Sequence, residues 1–279
     1  MAKRYYNLEK ETKEYLKACE ARGITPTIPI QRVNDFCITQ KNFNWSMTPT
    51  QLIEYSLLPS IWLDASIPAS FPSVSTTFQN LINRSFNAAL PSTLQYNNSN
   101  GGSIFLNNGQ AGSVPWNSNS ITGSFTIDTW MTILSGVGTN ISALFSNEVY
   151  LTRGFRSGVN HINRAYNFWN SESVPGGTPN PFNLTTPTNS INYGIPINIT
   201  LTFDTTTGTA AIRLNSIVSV SQTNMTYIPP IAGSNLGFNA SLNATNQPIL
   251  LHNLKVYNRA LTQAELTTSY NLLRSRFNL

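Results

Sequence analysis

The chain has 279 residues, of which 40% are hydrophobic and only 10% charged, with a formal net charge of +5. That length allows one large domain and an appendage, and a core of that size needs no disulfide or metal staple. The excess charge is shared between residues 1–41 and 55–279 with no basic stripe interleaved with aromatics, which argues against a nucleic-acid partner.

Taken in order, the N-terminal Met-Ala-Lys-Arg-Tyr-Tyr-Asn has no apolar run behind its positive charges. The sequence therefore predicts a protein made in the cytoplasm without an export signal. No stretch reaches the roughly 20 apolar residues of a membrane span, so no membrane partner is expected. Asn7 is placed to cap a helix running to about Arg22, with Glu9 and Glu11 in the favourable first turn. Leu8, Tyr15, Leu16 and Cys19 form a narrow apolar stripe on it, and Gly23 followed by Ile24 suits a left-handed stop. So short and polar a helix is marginal alone and should be ordered by docking, on the rest of the chain or on another subunit.

Thr25-Pro26-Thr27-Ile28-Pro29 reads as a stiff extended connector. Asn34 is the predicted cap of a second short helix bearing Phe36, Cys37 and Phe43. Thr48-Pro49-Thr50-Gln51 combines an N-cap threonine, a first-turn proline and a glutamine at the third position, and should open a helix through Leu57 that stops at Pro59. Cys19 and Cys37 lack metal-knuckle or disulfide-framework spacing and are expected to be buried thiols. Residues 1–58 thus form a helical N-terminal docking segment, with Tyr5, Tyr6, Leu8, Tyr15, Leu16, Phe36 and Trp45 as candidate docking side chains.

From Leu58 onward the pattern turns to strands. Ile61 to Ala65, Ser103 to Leu106 and Ser124 to Met131 are predicted strands; Ala143 to Phe145 and Val149 to Leu151 look like a hairpin around Asn147. The prolines and glycines between Ser171 and Gly194 indicate a long surface loop. Ile197, Ile199, Leu201 and Phe203 alternate with Asn198, Thr200, Thr202 and Asp204, a strand with one face in a core and the other in water. A turn at Gly208 leads to Ala210, Ile212 and Leu214, and a third run places Val218 and Val220 inward. Ile249 to Tyr257 closes the strands, and Thr262-Gln263-Ala264-Glu265 is a capping box for a final helix with Leu266, Tyr270, Leu273 and Phe277. Neighbouring strands that bury one face each need a second apolar layer, so residues 59–279 are expected to form an antiparallel β-sandwich.

Several of these segments resemble the laminin-G-like domain of the concanavalin A-like lectin/glucanase superfamily. They are Trp62 to Ala65, Tyr96 to Phe105, Phe125 to Trp130, Ile199 to Asn215 and above all Leu254-Lys255-Val256-Tyr257-Asn258-Arg259-Ala260-Leu261 with Thr262 to Leu266. The resemblance spans roughly 58–275 and implies a jelly-roll of two antiparallel sheets. Arg4 to Glu11 is similar to leaders of tailed-bacteriophage virion proteins. Together they imply a non-enzymatic virion structural protein, such as a capsid decoration or cement protein, touching major capsid or other virion proteins and sister copies. The alternative is a tail or fibre lectin module recognising host-surface carbohydrate.

The chemistry-bearing residues bear on that choice. The glucanase branch implies carboxylates a few residues apart on one strand, whereas Asp64, Asp128, Glu148, Glu172, Asp204 and Glu265 are widely separated. At the family's calcium corner this chain has Phe105-Leu106-Asn107-Asn108-Gly109-Gln110, without acids, so no metal and no cofactor is expected. Metal-free sugar binding needs aromatic faces beside amide or guanidinium donors. Trp116, Tyr166, Phe168 and Trp169, with Arg153 and Arg156, are the candidates.

Overall fold

The computed structural model describes residues 8–42, 46–72, 75–92, 94–107, 110–116, 123–134, 141–147, 153–172, 182–229, 234–239 and 248–279. Three helices open it: α1 (Lys10–Ala21), α2 (Ile30–Lys41) and α3 (Pro49–Ser56). Sixteen strands follow: β1 (Ile61–Asp64), β2 (Thr77–Phe78), β3 (Ala88–Ala89), β4 (Gln95–Asn97), β5 (Ser103–Leu106), β6 (Gly112–Val114), β7 (Phe125–Ile133), β8 (Ile141–Ser146), β9 (Arg153–Asn160), β10 (Ala165–Glu172), β11 (Phe182–Thr185), β12 (Pro196–Asp204), β13 (Thr209–Leu214), β14 (Ile217–Gln222), β15 (Leu236–Phe238) and β16 (Ile249–Tyr257). Helix α4 (Gln263–Leu273) and a 3-10 turn over Arg274–Phe277 end the chain.

The strands form two eight-stranded antiparallel sheets. The first runs β14-β13-β12-β7-β16-β5-β4, with β1 also paired to β16; the second runs β11-β10-β9-β8-β15-β6-β3-β2. β5 covers the first half of β16 and β1 the second, so the two short strands share one edge. This is the expected jelly-roll sandwich, and its core lies between the sheets around Phe125, Ile127, Phe155, Phe168, Leu201 and Phe203. β16 changes parity midway. Ile249 and Leu251 point into the core, a bulge falls between Leu251 and Asn253, and Leu254 and Val256 point inward after it.

The first sheet departs from the expected half-wet pattern. Asn198, Thr200 and Thr202 alternate with the core residues of β12 as predicted, yet all three are buried. Their face is roofed rather than solvated. Trp130 on that face of β7 stacks on Phe277 at 4.3 Å and on Tyr270 at 5.4 Å. Beneath the roof Asp128 accepts hydrogen bonds from Asn198 Nδ2 (2.8 Å), Thr200 Oγ1 (3.1 Å) and Ser269 Oγ (2.8 Å). Val218 also departs from expectation. A register break between Ile212 and Arg213 sets Val218 opposite Arg213, where it is exposed, while Val220 stays partly buried against the core.

The leader packs on the same sheet. Tyr15, Cys19, Val33, Phe36, Leu52 and Ile53 share an apolar cluster with Trp62, Ile67 and Leu81. Glu54 of α3 forms a fully buried ion pair with Lys255 of β16. Burial works against the Lys255 charge, but the carboxylates of Glu54 and Asp128 outweigh it and raise the ammonium pKa. Both capping boxes form as read, at Thr48 with Gln51 and at Thr262 with Glu265.

Asn34 is a correction. It lies inside α2, and its Oδ1 accepts from Glu9 N–H at 2.7 Å, satisfying the start of the neighbouring α1 rather than of its own helix. Asn7 and Phe43 lie outside the described residues. The stretch predicted as one long loop contains β11, which pairs with β10; Val149 to Leu151 lie outside the described residues, and the partner of β8 is β9.

His252 sits under the same roof with no solvent exposure. Because a carbonyl only accepts, His252 Nδ1–H donates to Gly102 O (3.3 Å), which leaves Nε2 to accept from the Thr132 hydroxyl (3.0 Å). Burial, reinforced by the Arg276 guanidinium, pushes its pKa from 6.5 down to about 4. Between those values the unfolded chain takes up a proton that the folded chain refuses, so stability falls as pH drops through that window, by roughly 3 kcal/mol in all. Denaturant titrations from pH 7 to pH 4 should show that loss, and His252→Gln should flatten that part of the profile. An unchanged pH profile in the variant would remove His252 as its source.

Candidate functional site

A groove of about 300 Å³ opens where the rims of the two sheets meet, lined by Ser60, Ile61, Ile82, Asn83, Phe86, Pro115, Trp116 and Asn258. Each wall is fixed by a separate piece of local structure. Ser60 and Ile61 lead into β1, whose pairing with β16 sets their position. The opposite wall is the segment from Leu81 to Phe86. Asn80 Oδ1 accepts from both Trp62 N–H (3.1 Å) and Ile82 N–H (3.0 Å), and Asn80 N–H donates to Asn87 Oδ1 (2.9 Å). Arg84 Nη1 donates to Ala69 O at 2.6 Å, so a segment with little regular structure is nevertheless tied down.

The end wall follows β6. The Trp116 ring meets Phe125 and Phe155 edge-on at 5.7 and 6.0 Å, anchoring it in the core margin. Its indole Nε1–H donates to Asn258 Oδ1 at 3.3 Å, so only the edge of the ring reaches the groove. Asn258 is held in the turn after β16 by its neighbours. Tyr257 is buried with Leu57, Leu261 and Leu266. Arg259 donates to both Glu265 oxygens (2.7 and 2.9 Å) and to Leu57 O (3.0 Å).

The polar groups have defined roles. Asn258 Oδ1 accepts from Trp116 Nε1–H (3.3 Å), and Asn83 Oδ1 accepts from Ser85 N–H (3.0 Å). With an oxygen of each amide engaged, Asn83 and Asn258 keep their Nδ2 donors available at the lining. Ser60 Oγ gives its proton to Val256 O (2.8 Å) and keeps lone pairs to accept. Phe86 is the one large apolar side chain of the lining that is exposed. Among the described residues no charged side chain lines the groove. Such a lining can hold an uncharged, hydroxyl-rich ligand with an apolar face.

The residues singled out from the sequence are scattered by the structure. Trp116 contributes its edge to the groove. Tyr166 and Phe168 face the core and are fully buried, so they offer no stacking surface. Trp169 has the opposite parity on β10; Arg156 lies across from it in register, with its guanidinium carbon 4.6 Å from the ring centroid. That pair occupies the face of the second sheet away from Trp116. The Arg153 side chain lies outside the described part. Among the candidate docking residues, Tyr15 and Phe36 are buried within the chain, Phe36 stacked on Tyr55 at 3.7 Å. Leu8 and Leu16 are half-buried, and Tyr5, Tyr6 and Trp45 lie outside the described residues.

Phe86, Asn83, Ser60 and Asn258 were not legible as site residues. Only Asn258 had a signal, its place inside the Tyr257 to Leu261 motif. The described carboxylates of the sandwich have structural partners: Asp64 with Ser66 and Arg276, Asp128 with Asn198 and Ser269, Asp204 with Ser124 and the turn after it, Glu265 with Arg259 and its own cap. Among the described residues no three His, Cys, Asp or Glu side chains group as metal ligands, and no helix is long and apolar enough to cross a membrane.

No protein-family model and no curated protein sequence matches the chain. Its likeness is to solved structures. The binding domain of Paraclostridial Mosquitocidal Protein 1 superposes with a TM-score of 0.60 at 17% identity, over 76% of this chain and 52% of that one. A structure of botulinum neurotoxin type C, whose cell entry is described as dependent upon interaction with two ganglioside molecules, gives 0.59 at 14% identity over 77% and 51%. Trypanosoma rangeli sialidase in complex with the inhibitor DANA gives 0.55 at 13% identity over 75% and 32%. The chain spans about half the length of those toxin structures. What they share with it is the architecture, a β-sandwich of two antiparallel sheets.

Proposed function

We propose that this chain is a non-enzymatic carbohydrate-binding module whose ligand sits in the groove between Phe86 and Asn258. The supporting observation is the lining itself: an exposed ring, two amides, a hydroxyl acceptor and, among the described residues, no charge. A ring face packs against the C–H surface of a sugar while amides and hydroxyls meet its oxygens. The ganglioside dependence described for botulinum neurotoxin type C, whose structure shares this architecture, agrees with a sugar-reading role here. The described carboxylates already serve caps, turns and ion pairs, which favours binding over hydrolysis.

In this reading the module is carried on the outside of a virion, assembled in the host cytoplasm, and meets host-surface carbohydrate there. The leader's resemblance to tailed-phage virion proteins supports that placement. Contact with capsid or other virion proteins, and with sister copies, then falls to exposed surface, since Tyr15 and Phe36 are packed inside. A glycan array should return hits for the native protein that Phe86→Ala loses while its thermal melt is unchanged. Equal array signals from the two proteins would overturn the assignment of this groove.

A further inference from the structure

The groove's free polar groups specify more than a sugar in general. Resting on the binding role proposed above, we infer that the groove selects a neutral 2-acetamido hexose over a plain hexose and over a sialic acid. An acetamido group carries one acceptor, one donor and one methyl, and each has a counterpart here. Its carbonyl accepts from the Nδ2 groups of Asn83 and Asn258, whose oxygens are held by Ser85 N–H and by Trp116 Nε1–H. Its N–H meets Ser60 Oγ, whose own proton is directed to Val256 O. Its methyl has an apolar wall in Ile61, Ile82 and Pro115. The pyranose ring then lies on Phe86, the exposed aromatic of the lining.

Size and charge narrow the choice. About 300 Å³ is at the lower end of small-molecule sites, room for one ring with the remaining glycan leaving by the open side. A sialic acid also has an acetamido group but brings a carboxylate, and Ser60, Ile61, Ile82, Asn83, Phe86, Pro115, Trp116 and Asn258 include no cation to pair with it. Desolvating that charge beside neutral amides is unfavourable. A plain hexose fits but leaves the amide donors and the apolar wall without their partners.

Titration of the full chain with N-acetylglucosamine, N-acetylgalactosamine, glucose, galactose and N-acetylneuraminic acid, followed by NMR or calorimetry, tests this directly. At least one N-acetylhexosamine should bind about tenfold more tightly than its parent hexose, as one hydrogen-bonded group is worth. Phe86→Ala and Asn83→Ser, both at exposed positions, should each weaken it while leaving the melt unchanged. If sugars bind in a Phe86-dependent way but the parent hexose or N-acetylneuraminic acid binds as tightly, the selectivity inference is overturned and the binding role stands. If no sugar binds in a Phe86-dependent way, both are overturned.

Discussion

Glu54→Ala is expected to destabilise the protein by about 3–5 kcal/mol, because it strands the Lys255 ammonium without its partner in a fully buried site. Lys255 Nζ also meets Ser269 Oγ at 3.3 Å, and Ser269 bonds Asp128, so the charge is held between α3, β16 and α4 without solvent exposure. Removing both charges should behave differently from removing one. In Glu54→Leu/Lys255→Met the low-dielectric site no longer holds an ion, and most of the loss should return. Urea denaturation of the two single variants and the double variant measures this. A double variant no more stable than Glu54→Ala would mean that the site depends on the charge pair for its geometry.

Removing residues 1–58 should cost more than Glu54→Ala, since it takes Glu54 away together with the cover on Trp62, Ile67 and Leu81. The truncated chain would expose a cluster of large apolar side chains beside an unpaired lysine, and it is expected to melt far below the full chain or to aggregate. Arg259 adds to this dependence through its bond to Leu57 O. The leader would then be part of the fold's outer layer. A fragment 59–279 that melts cooperatively at the temperature of the full chain would contradict that view.

The sequence showed the sandwich well where one rule decides the outcome. Ile197 to Phe203 alternates without interruption and is the β12 strand; Thr48 and Thr262 carry complete capping signatures and both boxes form. It misled where the deciding partner is far away in sequence. Asn198, Thr200 and Thr202 look like a solvent face because Asn and Thr usually are one, and only the arrival of α4 roughly 65 residues later covers them. Asn198 and Thr200 bond Asp128, which Ser269 of α4 also bonds, and Thr202 accepts from Arg213, itself bonded to Gln263. Asn34 carries a cap's chemistry, but its partner is Glu9 N–H on another helix. Val218 follows the inward parity of β14 until a bulge, invisible in residue type, turns it out.

The groove was the least legible part for the same reason. Ser60, Phe86, Trp116 and Asn258 come from four separate stretches and meet only when the two sheets close. Trp116 could be picked out as an aromatic residue, but Tyr166 and Phe168 share that property and belong to the core. Composition distinguishes an aromatic residue from others; it does not distinguish a buried ring from an exposed one. Phe86 had no pattern to mark it, since it ends a short 3-10 turn capped by Asn83 rather than a strand.

The most direct test is a crystal structure of the protein soaked with an N-acetylhexosamine. One intact sugar ring should lie on Phe86, its acetamido oxygen within hydrogen-bond distance of the Nδ2 atoms of Asn83 and Asn258. A sugar seated instead in the hollow of Gln95, Asn97 and Phe105, or on the Arg156–Trp169 face, with the groove empty, would contradict it.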